Sequence, residues 1–173
     1  MSTDRRTLLK GLAAVGLAFT GGSLAHAANS LPDTVQQMGS MPLTAVVSGS
    51  AVDSPFLAGV TAASQQFGMQ QQPALNLNGL DGSLLNHIHA LAQDSQSAML
   101  VGLVDDATAI VLLDLVRSSG GRVLSQQQHR LGDDAAAVQL AAGLGRELVS
   151  RPDAVTAATQ PGGQHCVSFC CVI

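Results

Sequence analysis

From Leu43 onward the chain alternates short, nearly unbroken apolar runs with longer stretches in which apolar residues recur every three or four positions. The short runs, Leu43 to Ser48, Ala74 to Leu77, Ala98 to Val104 and Arg122 to Ser125, predict strands. The longer ones, Ser54 to Phe67, Ser83 to Gln93, Ala107 to Ser118 and Asp134 to Ser150, predict helices. Four strand–helix units follow one another. "LTAVV" and "AMLVGLV" lack polar alternation, the pattern of strands covered on both faces in a parallel sheet. Helix signals agree: Asp53 or Ser54 stands before Pro55, Asp106 before Ala107 and Asp133 before the last helix, while Gly68 and Gly120-Gly121 sit where helices stop. A last apolar run over residues 164–173 predicts a fifth strand joining an edge. The expected fold class is α/β: one three-layer domain with a mostly parallel, doubly wound sheet of about five strands.

The first 27 residues break this pattern. A charged start, an apolar stretch from Leu12 to Phe19 and the small-residue site Ala25-His26-Ala27 follow in secretory order, with cleavage expected after Ala27. Arg5-Arg6-Thr7-Leu8-Leu9-Lys10 resembles the twin-arginine export signal, in which paired arginines precede an apolar pair and a lysine. That resemblance implies a bacterial chain that folds before the twin-arginine (Tat) translocase carries it to the periplasm or beyond. No stable membrane anchor is expected, since the apolar stretch is too short to span roughly 30 Å of hydrocarbon. Residues 28–42, with Pro32, Gly39 and Pro42, read as a polar linker, which leaves 43–173 as the domain.

Without residues 1–27 the chain has five arginines against eleven acidic groups and no lysine, a formal charge of −6. No basic patch for a nucleic-acid backbone or an anionic membrane is expected. With no tryptophan or tyrosine, and phenylalanine only at 56, 67 and 169, stacking platforms for sugars or bases are nearly absent. The missing lysine excludes Schiff-base chemistry. No phosphate-cradling glycine loop follows any predicted strand, and no cofactor is evident.

"LTAVVSGSAVDSPFLAGVTAASQQFG" resembles the opening of type I periplasmic binding proteins, where a strand leads through a polar-Pro-Phe step, here Asp53-Ser54-Pro55-Phe56, into a helix ending in glycine. "DGSLLNHIHALAQDSQSAMLVGLVDD" and "ATAIVLLDLVRSSGGRVLSQQQH" continue the likeness, which spans residues 43–148. It implies a Rossmann-like lobe and solute capture. That family closes two such lobes on its ligand, whereas this chain has length for one.

In open parallel sheets the usable crevice lies beyond the carboxyl ends of the strands. That rule selects a rim of Ser48, Ser50, Asp53, Asp81, Asp105, Asp106 and His129. A hydrolase would need His129 against Ser48 or Ser50 with Asp105 or Asp106 behind it, and a hard cation would suit the carboxylates. The bland alternative makes Asp105-Asp106 a helix cap and His129 a loop residue. His87 and His89, two apart on a helix, point to opposite sides. His165, Cys166 and Cys170 would form a metal or redox site only in a helical ending. In a strand Cys166 and Cys170 share a face about 13 Å apart, beyond disulfide reach, and Cys171 faces away. The expected function is a Tat-exported accessory or ligand-binding protein without catalysis, its partner a small ligand or a larger periplasmic redox enzyme.

Overall fold

The computed structural model describes residues 41–77, 82–93 and 97–173. The expected signal, with Arg5, Arg6, Lys10, Ala25 and Ala27, lies outside these residues, as do Asp81 and all but the end of the expected linker. No described helix is long and apolar enough to cross a membrane.

The elements follow the predicted alternation. They are β1 (Pro42–Val47), α1 (Asp53–Phe67), β2 (Gln70–Gln71), β3 (Leu75–Asn76), α2 (Gly82–Gln93), β4 (Met99–Val104), α3 (Asp106–Ser118), β5 (Arg122–Leu131), α4 (Ala135–Ser150) and β6 (Gln164–Val172). One sheet runs in the order β2-β1-β4-β6-β5, and β3 continues the β2 side of β1. The short pieces β2 and β3 flank Pro73.

The sheet is mixed, and five of its six strands run one way: β1 pairs in parallel with β2, β3 and β4, β5 shares their direction, and β6 alone is antiparallel, to both β4 and β5. One expectation is corrected. The C-terminal strand is not at an edge, since it lies between β4 and β5. The reason is burial: five consecutive β6 residues, Val167 to Cys171, are buried, and only an interior strand covered on both faces accommodates such a run. Phe169 stands opposite Gly102 of β4, and its ring fills the space a side chain there would take.

Helices cover both faces. Phe56 and Val60 of α1 and Ala137, Ala141, Leu144 and Leu148 of α4 enter one core cluster with Leu43, Val101 and Cys170. Ile88 of α2 and Ala109, Leu112, Leu113 and Val116 of α3 enter the other, with Leu100, Phe169 and Cys171. Where α1 and α4 meet, Gly59 lies against the Ala142 backbone and Gly145 against the backbone of Phe56 and Val60. Any side chain at these glycines would push the helices apart.

Candidate functional site

The chain leaves β1 for α1 on one face of the sheet and β4 for α3 on the other, so the carboxyl ends of these adjacent parallel strands form a switch point. Ligand crevices of open α/β sheets lie at such points. A cleft of about 410 Å³ opens there, lined by Ser48 to Val52 after β1 and by Leu103 and Asp105 at the end of β4. Its other wall comes from the antiparallel strands: Leu131 to Asp133 after β5, and Gly162, Gln164, His165 and Cys166 around the start of β6.

The predicted rim divides. Ser48, Ser50 and Asp105 line the cleft. Asp53, 8% exposed, lies just behind it in the first turn of α1. Its carboxylate accepts from the N–H groups of Gly49 (2.7 Å) and Ser50 (2.9 Å) and from the Ser50 hydroxyl. Gly49, at φ 84°, takes the left-handed conformation this turn requires. Asp53 therefore fixes the cleft floor, while the helix N-cap position is Val52, which makes no side-chain cap bond. Asp105 caps α3, accepting from Thr108 N–H (2.9 Å) and the Thr108 hydroxyl (2.7 Å). Burial opposes ionisation of Asp105, yet the Thr108 bonds prevail and hold its pKa below the usual carboxylate value. Asp106 is half-buried, and one of its carboxylate oxygens has no hydrogen-bond partner among the described residues.

His129 leaves the rim altogether. The strand expected to end at Ser125 continues to Leu131, so His129 is inside β5 and only 2% exposed. Its Nε2 is 2.7 Å from Ser168 Oγ, and its Nδ1 accepts the N–H of Ala158 at 3.0 Å. Neither a Ser48 or Ser50 pairing nor a solvent-facing loop describes it.

The cysteines divide between the faces of the sheet. Cys166 and Cys170 face the α1–α4 side and Cys171 the α2–α3 side, and all three are free. Burial pushes their thiols up, to about 11 for Cys166 and about 12 for Cys170 and Cys171, so they stay protonated at neutral pH. Cys166 reaches the cleft, Cys170 sits in the core, and His165, next to Cys166 in a strand, projects from the opposite face. They do not converge, and among the described residues no group of three or more His, Cys, Asp or Glu side chains is arranged to hold a metal.

The sequence reading missed the antiparallel wall, Leu131 to Asp133 and Gly162 to Cys166. A signal for it was present in "QQQHRL", where His129 and Leu131 alternate with Gln128 and Arg130, but the glutamines hid the strand. Fold and cleft together define an open α/β/α domain with a switch-point crevice. No protein-family model matches the chain, and no curated protein or solved structure shows significant similarity to it.

Proposed function

We propose that this chain is exported through the twin-arginine translocase and acts in the bacterial periplasm without catalysis, either holding a small ligand in the switch-point cleft or serving as accessory to a larger redox enzyme exported with it. The observation that carries the binding part is the cleft itself, at the place where open α/β sheets bind ligands. Its polar groups serve structure first. Ser50 and Asp53 hold the loop, Asp105 holds α3, and His129 is turned into the sheet, so the rim offers no serine activated by that histidine. The likeness of residues 43–148 to one lobe of type I periplasmic binding proteins favours solute capture over chemistry. The paired arginines at 5 and 6 favour a folded passenger, and co-export with an enzyme accounts for such a signal on a chain without an evident cofactor motif.

Cell fractionation of the native chain and of an Arg5→Lys/Arg6→Lys variant tests the export. The native chain is expected in the periplasm and the variant in the cytoplasm, and equal periplasmic amounts would refute the route. Native mass spectrometry of the periplasmic protein tests the rest. A small-molecule adduct or a co-purifying enzyme is expected, the adduct disappearing in Ala51→Trp, which fills the cleft from an exposed position. A bare chain with neither would sink the proposal.

A further inference from the structure

Residues 151–163 form a strap between α4 and β6 that is fastened to the end of β5. Arg130 N–H donates to the Ala158 carbonyl (2.9 Å), and the Arg130 carbonyl accepts from Gln160 N–H (2.8 Å). The Gln160 side chain accepts from Gly132 N–H (2.8 Å) and donates to Asp134 (3.2 Å). A further fastening, half-buried, runs from Ala158 N–H to His129 Nδ1. Because Nδ1 accepts, the ring proton resides on Nε2 and is donated to Ser168 Oγ. A second proton would set an N–H on Nδ1 against the N–H of Ala158. Beyond this point the strap supplies Gly162 to the cleft and leads directly into Gln164 and His165.

We propose that His129 is an acid-operated latch on this strap: protonation of its ring releases Ala158 and loosens the cleft wall from Gly162 to His165. The consequence for binding rests on the cleft being the ligand site; the latch itself does not.

Among the described residues no charged side chain is buried against the ring to hold a second proton. On the α1–α4 side of the sheet, α4 buries Ala137, Ala141, Leu144, Leu148 and Val149, and α1 buries one ionisable group, Asp53, which is engaged in its own loop. On β6 the neighbours are Ser168 and, opposite His129, the protonated thiol of Cys166, on which Asp106 at the start of α3 acts. The strap's own ionisable residues, Arg151 and Asp153, are exposed, Asp134 is exposed at the α4 cap, and Arg130, next to His129 in the strand, projects from the opposite face. Burial lowers the ring's pKa to about 4. A released ring returns toward the ordinary value of about 6.5. Opening is therefore unaffected above the higher value and increasingly favoured below it, by about 100-fold at pH 4.

Hydrogen exchange on the full chain tests this through protection factors of the Ala158 amide, with Val101 in β4 as the reference. Ala158 protection is expected to fall by about 100-fold from pH 8 to pH 4 while Val101 stays protected. In His129→Asn, whose amide oxygen can accept near the Nδ1 position but does not titrate, Ala158 protection should not change with pH. Constant native protection, an equal fall in His129→Asn, or a fall only in step with Val101 would each overturn the latch. If the variant does not fold, the ring is titrated by NMR in the native chain, and a pKa near the ordinary value overturns it as well. A chain that binds nothing at any pH would sink the ligand reading and leave these exchange results standing.

Discussion

The parallel half of the sheet, β2/β3–β1–β4, and its antiparallel half, β6–β5, supply opposite walls of one cleft but are held by different means. In β1 and β4 the buried side chains are apolar apart from Thr44, and β1 and β4 are each followed directly by the helix that covers them. The antiparallel half buries a hydrogen-bonded His129–Ser168 pair and two thiols, and its inner strand arrives last in the chain. Apolar packing tolerates small shifts, whereas a buried imidazole bonded at both nitrogens does not, because an unmade bond there is costly. The antiparallel half is thus the part of the sheet that buries a specific polar contact, and His129 also fastens the strap that leads into the cleft wall.

The sharpest way to break this arrangement is at the seam between the halves. Phe169→Ala removes the ring that fills the space over Gly102, and a loss of about 3–5 kcal/mol in denaturant unfolding is expected. A smaller loss than that of Leu100→Ala, its neighbour in the same core cluster, would mean the seam is no special anchor. Next comes the polar pair. Ser168→Ala leaves the His129 Nε2–H buried without an acceptor, for an expected loss of about 1–3 kcal/mol at neutral pH. Acid attacks the same pair from the histidine side. Since burial depresses the folded pKa, the neutral ring's contribution is intact above its unfolded value and declines as pH falls toward about 4. Unfolding titrations across that interval should show the native chain losing stability and His129→Asn losing less. The smallest effect belongs to the parallel half: Asp105→Ala removes the α3 cap at a cost of about 1 kcal/mol at neutral pH and leaves the pH response of Ala158 exchange unchanged.

Much of the parallel half was legible in the residues. The runs "LTAVV" and "AMLVGLV" became β1 and β4, and Gly68 ends α1 in the left-handed conformation as expected of a stop signal. Ser48, Ser50 and Asp105 were selected for the cleft by the carboxyl-end rule alone. His129 was misplaced because "SQQQH" reads locally as polar loop, and what makes it strand is pairing with residues about forty positions away. The cysteine ending was read correctly as a strand with Cys170 and Cys171 on opposite faces, but placed at an edge.

The sequence by itself determined the alternation of elements, the approximate helix bounds and the apolar faces, since these depend on neighbours a few residues apart, while the capping residues proved to be Val52, Asp105 and Asp134. Only the tertiary structure decided that β6 enters between β4 and β5, that His129 meets Ser168 and Ala158, and that Gly162 to Cys166 complete the cleft. Those choices turn on which distant strand can supply a complementary backbone edge and bury the run from Val167 to Cys171 on both faces, a condition no local window of residues contains.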